Sequence, residues 1–134
     1  MSPIRPYKKE KYHKESTMNL SRQNWMFTIR ATYIPRDDMY FDKEYYISHH
    51  MPLAKKLLKD QVNYVSMHVE FDSCVMMNET ELRSPAVFVL TVESKSDVDN
   101  FNAFRRSDRV IPLREDIKNY TNCIPEWTVA EFTS

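Results

Sequence analysis

Alternating apolar and polar positions predict four β-strands along this chain. The alternation is clear in the first strand, where Phe27, Ile29, Ala31 and Tyr33 share one side. The third is the most continuously apolar, AVFVLTV, so we expect it to be central. The polar connection before it is expected to contain at most one helical turn, at residues 78–81. The predicted strands cover residues 25–34, 62–71, 86–92 and 127–132.

Two helices are predicted between these strands. Asp42 is a suitable N-cap for the first. Pro52 is expected to kink or break it, because proline lacks the N–H that would bond the carbonyl of Ser48, and to start a second helical piece that runs to Lys59. Ser96 or Asp97 is expected to cap the second, whose apolar positions recur at a spacing of three.

The order β-α-β-β-α-β predicts an α+β fold of the ferredoxin-like kind. In that fold an antiparallel four-stranded sheet carries both helices on one face. The other face then needs a cover, and a second copy of the chain is the natural one, which predicts a homodimer forming an α/β barrel. The side chains expected on that face are mixed in character and include Thr28, Arg30, Tyr64, Ser66 and His68.

Length and charge exclude several classes of protein. A chain of 134 residues fits one domain, and its 19 basic and 19 acidic side chains give no reason to expect a nucleic-acid or membrane-surface partner. Residues 1–24 carry six basic and two acidic side chains. We expect them to form a flexible arm, or one that docks on a partner subunit, with the folded domain at residues 25–134.

The cysteine and glycine counts narrow the picture further. The two cysteines form no disulfide framework or zinc motif, and no signal-like or membrane-spanning apolar stretch is present, so the cytoplasm is the expected location. The chain contains no glycine, which excludes the phosphate-binding loops of Walker and Rossmann type. We expect no metal site, since the side chains of adjacent helical positions such as His49 and His50 do not converge on one point. We also expect no cofactor.

His50 is the strongest candidate for chemistry. At helical spacing it lies in one stripe with Ile47, Ala54 and Leu57, whereas His49 points away. A histidine facing the apolar side is either a hydrogen-bonded core residue or an acid/base group, because its pKa lies near neutrality.

The residues around His50 also resemble a known family. The run FDKEYYISHHMPL at residues 41–53 follows Tyr33-Ile34-Pro35 and is similar to the F-D-x-x-Y-Y-x-x-x-H-M-P-L pattern of the EthD family. The run DIKNYT at residues 116–121 resembles that family's D-x-x-N-F-T stretch. The positions that match are Tyr45, Tyr46, His50, Pro52 and Asp116.

This resemblance implies a dimeric α/β barrel and a small-molecule substrate. Relatives of the fold include cofactor-free cyclases, dehydratases, decarboxylases and monooxygenases. Tyr46 either supports His50 or packs in the core with its hydroxyl bonded to backbone. Residues 109–122 are expected to be irregular and then helical, and Asp116 either orients His50 or caps that last helix.

The leading hypothesis is therefore a cofactor-independent lyase or cyclase acting on an aromatic or polyketide-like molecule in a biosynthetic pathway. His50 would be the general acid/base, supported by Tyr46 and Asp116. The alternatives are a cofactor-free monooxygenase and a non-catalytic small-molecule-binding barrel. Arg30 and His68 on the other sheet face either bind substrate or make hydrogen bonds across a dimer interface. The residues predicted to bind substrate are Tyr33, Tyr45, His49, Arg30 and His68.

Overall fold

The structure is a computed structural model that describes residues 25–133. The basic arm predicted at residues 1–24 lies outside the described residues, so its flexibility or docking stays a prediction. Among residues 25–133, no helix is long and apolar enough to cross a membrane.

Four antiparallel strands form one sheet in the order β2-β3-β1-β4. The two central strands pair through Ile29 and Leu90, and β2 and β4 lie at the edges. This is the strand order of the ferredoxin-like fold, so the predicted α+β class is confirmed. The strands are β1 (Met26–Tyr33), β2 (Ser66–Val75), β3 (Asn78–Val92) and β4 (Pro125–Phe132).

The connection between β2 and β3 differs from the prediction. The helical turn expected at residues 78–81 is wrong, because β3 begins at Asn78 and pairs directly with β2. Met77 adopts a left-handed conformation with φ of 69°, which lets the chain reverse between Val75 and Asn78 without a glycine. The polar residues 72–85 therefore find their backbone partners in a long hairpin rather than in a helix.

The first helix, α1, covers residues 43–58 without a break. It consists of an α-helical start, Lys43–Tyr45, a π-helical turn, Tyr46–His50, and an α-helical end, Met51–Leu58. Asp42 caps it as predicted, since its side chain accepts a hydrogen bond from the Tyr45 N–H.

The prediction at Pro52 is confirmed in part: a second α-helical piece, Met51–Leu58, has the proline in its first turn, but no break separates it from the helix before it. In the π-helical turn the Met51 N–H bonds the carbonyl of Tyr46, five residues back, and Met51 keeps helical angles. The wider turn accommodates the proline, which stands at the first turn of the following α-helical segment, where its missing N–H costs little.

The N-cap of the second helix, α2 (Lys95–Arg105), lies two or three residues before the expected ones. Ser94, and neither Ser96 nor Asp97, is the N-cap, and its hydroxyl accepts a hydrogen bond from the Asp97 N–H. A short α3 (Ile111–Asp116) follows, with a 3₁₀ turn on each side, Asp108–Val110 and Ile117–Asn119.

The core lies between one sheet face and the helices. On β1 the residues Ile29, Ala31 and Tyr33 are buried in it, whereas Thr28 and Arg30 alternate onto the opposite face. We call that opposite face the open face, because the core elements of residues 25–133 pack on the other side. The core is built by Ile29, Ala31, Tyr33, Tyr46, Met51, Leu58, Val62, Ala86, Phe88, Leu90, Val92, Val98, Phe101, Phe104, Tyr120 and Cys123.

Candidate active site

The π-helical turn of α1 determines which histidine faces the core. His50 is buried, whereas His49 beside it is exposed, as the sequence predicted. The expected stripe is wrong in one respect, since Ile47 is 55% exposed. The π-helical turn shifts the phase of the helix, so Tyr46, His50 and Ala54 form the buried side instead.

Asp116, at the end of α3, holds His50 from the opposite side. His50 Nδ1 lies 2.9 Å from Asp116 Oδ2, and the two side chains are only 10% and 12% exposed. The other carboxylate oxygen accepts a hydrogen bond from the Tyr45 hydroxyl at 2.6 Å and one from Asn119 Nδ2 at 3.0 Å. Asp116 makes no capping bond to the following 3₁₀ turn. Of the two roles considered for Asp116, its contacts match the one in which it orients His50, not the one in which it caps a helix.

The protonation states of this pair follow from its surroundings. Burial lowers the pKa of His50 below its ordinary value, and the hydrogen bond to Asp116 only partly offsets that effect. Partial burial alone would raise the pKa of Asp116, but hydrogen bonds from Tyr45, Asn119 and His50 outweigh it, so this pKa is lowered. Near neutral pH the pair is thus a neutral imidazole beside a carboxylate. Because Nδ1–H donates to Asp116, the lone pair of the imidazole is on Nε2.

Two buried tyrosines, Tyr46 and Tyr120, contact the His50 ring, and a third, Tyr33, contacts both of them. The Tyr120 hydroxyl lies 3.4 Å from His50 Nε2 and 2.6 Å from the Tyr33 hydroxyl, and the Tyr46 ring lies 5.0 Å from the imidazole. Burial, more than any other cause, raises the pKa of Tyr33, Tyr46 and Tyr120 above that of an ordinary tyrosine. These hydroxyls therefore stay protonated and can donate hydrogen bonds at neutral pH.

A cavity of about 110 Å³ opens beside His50, between the sheet and the helices. Its wall is mostly apolar and aromatic, with His50 and tyrosines at one part and two arginines, Arg105 and Arg114, at another. Such an apolar pocket with a few polar groups is typical of small-molecule sites. The remaining lining residues are Ala31, Ala54, Leu58, Phe88, Phe101, Phe104, Val110, Leu113, Ile117, Pro125 and Trp127.

The structure divides the predicted substrate-binding residues into two groups. Tyr33 lines the cavity, and Tyr45 reaches the site through Asp116, whereas the exposed His49 stacks on the Tyr45 ring at 4.5 Å. Arg30 and His68 lie on the open face and do not meet His50. There they flank Glu70, at 3.4 Å and 3.1 Å. The catalytic and binding roles of all these residues stay predictions.

Several residues of this site were not singled out from the sequence. Asn119 and Tyr120 stand in the run DIKNYT, whose resemblance to the family points to Asp116 as a site residue. That motif was a usable signal. No sequence signal pointed to Arg105 or Arg114, because an arginine near a helix end normally faces solvent. Among residues 25–133, no three His, Cys, Asp or Glu side chains are grouped so that they could hold a metal ion.

Comparison with solved structures supports the resemblance to the EthD family at the level of fold. An EthD-like protein from Ralstonia eutropha JMP134 aligns with a TM-score of 0.63 and 20% identity, over 78% of this chain and 89% of its own. An ethyl tert-butyl ether D (EthD) family protein from Bacillus halodurans C-125 aligns with a TM-score of 0.50 and 15% identity, over 81% and 98%. No family model and no curated protein matches the sequence. The chain thus has an EthD-like, ferredoxin-like fold.

Proposed function

We propose that this protein is a cofactor-independent lyase or cyclase, in which His50 is the general acid/base for an aromatic or polyketide-like small molecule. One observation carries the proposal. His50 is oriented through Nδ1 by a partly buried carboxylate, and the same residue lines an apolar cavity. A purely structural histidine needs its hydrogen bonds satisfied, but it needs no cavity beside it.

The arrangement suits proton removal next to a carbonyl group. His50 Nε2 accepts the proton from the carbon, and Asp116 stabilises the imidazolium that forms. The protonated hydroxyl of Tyr46, which lines the cavity, donates a hydrogen bond to the developing enolate oxygen. The enolate then closes on a second carbonyl or expels water, and the imidazolium returns the proton.

The size of the cavity restricts the substrate. A cavity of about 110 Å³ compares with the roughly 150 Å³ of an engineered apolar cavity that holds benzene. The substrate part that enters is therefore about one ring in size. A short, monocyclic member of the aromatic or polyketide-like class fits better than a fused-ring one.

Incubation with a panel of short di- and triketides under nitrogen and under air tests the proposal. We expect product by mass spectrometry in both atmospheres, and its loss in His50→Gln. Lys55→Gln, which changes an exposed side chain of the same helix, should retain it. Product in air alone would favour the monooxygenase, and saturable binding without product would favour the binding barrel. Circular dichroism of His50→Gln verifies that the variant is folded.

We also propose that the protein is a homodimer in which a second copy covers the open face. This face carries half-exposed Arg30, His68 and Glu70 beside the buried Val89, a mixture of polar and apolar groups that suits an interface. Sedimentation equilibrium should give a dimer, and His68→Glu, which places a second acid beside Glu70, should shift it toward monomer. Wild-type protein that stays monomeric at all concentrations would contradict the dimer.

A further inference from the structure

Two arginines in the cavity wall have no acidic partner among residues 25–133. Arg105 ends α2 and Arg114 lies in α3, and no carboxylate belongs to the wall that residues 25–133 form around the cavity. Within the same residues, no ion pair involves either arginine. A guanidinium beside an apolar cavity is unusual without a counter-charge, because it gives up water on that side.

Arg105 is held in place by an aromatic ring. Its guanidinium carbon lies 4.2 Å from the centre of the Trp127 ring, a cation–π contact that leaves the N–H edge of the guanidinium free. Burial lowers the pKa of Arg105 from its ordinary value, and the positive charges of Arg114 and Arg106 lower it further. The side chain is thus fixed, partly desolvated and repelled by its neighbours.

Arg114 lies across the end of α2, next to Arg105. One of its terminal nitrogens donates to the backbone carbonyl of Arg105 at 3.1 Å. That bond accounts for one of the five N–H donors of a guanidinium. Capping the end of α2 therefore explains why the exposed Arg114 lies at this edge of the cavity, and among residues 25–133 no other hydrogen bond accounts for its remaining donors.

We infer that the substrate carries a carboxylate, which the guanidinium groups of Arg105 and Arg114 bind at the arginine part of the cavity wall. A carboxylate fits the planar donor fork of arginine with two parallel hydrogen bonds, and its charge relieves the repulsion between the two cations. This inference rests on the proposed function, since it assigns the charge of the substrate of that same pocket. It makes the substrate a ring-sized apolar body with an anionic anchor, whose reacting carbon is presented to His50.

Binding of benzoate and of benzamide tests this inference without turnover. The two probes have nearly the same shape and differ in charge, so their affinities isolate the contribution of the anion. We would measure both by isothermal titration calorimetry on the full chain, with Arg105→Gln and Arg114→Gln as the test variants. Arg106→Gln and Arg109→Gln are matched controls, since both remove a nearby exposed arginine that does not line the cavity.

We expect benzoate to bind at least about tenfold more tightly than benzamide, the effect of one hydrogen bond to a charged group. Arg105→Gln and Arg114→Gln should each remove most of that preference, and the two controls should keep it. Equal affinities for the two probes would overturn the inference. An equal loss of the preference for benzoate in all four variants would overturn it too. Absence of saturable benzoate binding in the millimolar range would overturn it as well.

The same measurement on His50→Gln separates this inference from the proposed function. If the arginines anchor a carboxylate, His50→Gln keeps the preference for benzoate while its turnover is lost. If benzoate selectivity holds but no ketide is converted by the wild type, the anion site stands and the proposed chemistry fails. If conversion occurs without any preference for the anionic probe, the chemistry stands and the anion site fails.

Discussion

Two histidine–carboxylate pairs of similar length occupy opposite faces of the sheet. His50 and Asp116 lie 2.9 Å apart on the helix side, with side chains 10% and 12% exposed. His68 and Glu70 lie 3.1 Å apart on the open face, with side chains 50% and 46% exposed. The same two functional groups at almost the same distance thus differ chiefly in their contact with water.

That difference changes what each pair can do. On the open face the hydrogen bond from His68 lowers the pKa of Glu70, with Arg30 adding to the effect, but water screens these charges. On the helix side burial lowers the pKa of His50 and leaves it as a neutral base beside a charged Asp116. The comparison teaches that burial, rather than the pairing itself, makes a histidine a candidate for catalysis.

Asp116→Asn and Glu70→Gln are the matched substitutions with the largest expected contrast. Asp116→Asn removes the charge that stabilises the imidazolium and selects its tautomer, so kcat/KM should fall on the order of 100-fold or more. It also weakens hydrogen bonds from Tyr45 and Asn119. We therefore expect a loss of about 1–3 kcal/mol in the free energy of unfolding, measured in urea.

Glu70→Gln changes a carboxylate of the exposed pair instead. In monomeric protein we expect it to alter the free energy of unfolding by about 0–1 kcal/mol, as is usual for exposed ion pairs. Turnover in the cavity should stay within about twofold, because a screened charge acts weakly through the sheet. Equal effects of the two substitutions would show that burial does not distinguish the pairs.

A smaller effect is expected from pH. The folded pKa of His50 lies below the ordinary 6.5, so as pH falls below 6.5 the unfolded chain takes up its proton first and stability declines. Asp116, whose pKa is also lowered, adds a second loss as pH falls below 3.8. Urea unfolding between pH 7 and 5 should show that the free energy of unfolding declines in the wild type and declines less in His50→Gln.

The same pKa shift predicts the pH dependence of turnover. Because the reaction needs neutral His50, kcat/KM should have reached most of its plateau by pH 6.5. An acid limb centred above pH 6.5 would mean that the pKa of His50 is raised rather than lowered, and would contradict the effect of burial.

Local patterns predicted much of this architecture. Alternation along β1 placed Ile29 and Arg30 on opposite faces, and helix phase separated His50 from His49, because both depend on residues close in the chain. The order of elements was sufficient for the ferredoxin-like sheet. The errors were also local in origin. Pro52 was expected to break a helix that a π-helical turn preserves, and residues 78–81 continue a hairpin.

Local patterns could not predict the cavity or the residues that contact His50 beside it. Periodicity leaves Asp116 with two possible roles and does not point to Tyr120, since each lies more than 60 residues from His50 along the chain. Arg105 and Arg114 acquire their interest only because α2 and α3 end beside the same cavity. Such contacts depend on how the helices pack on the sheet.

The sequence by itself determined the class of fold, the inward direction of His50 and the outward direction of His49, because backbone periodicity imposes these on neighbouring residues. Only the tertiary structure decided that Asp116 and Tyr120 meet the two nitrogens of His50. It alone placed Arg105 and Arg114, which have no acidic partner among residues 25–133, in the same cavity wall. The physical reason is that burial and long-range contact, which lower the pKa of His50 and enclose the cavity, arise when separate elements exclude water together.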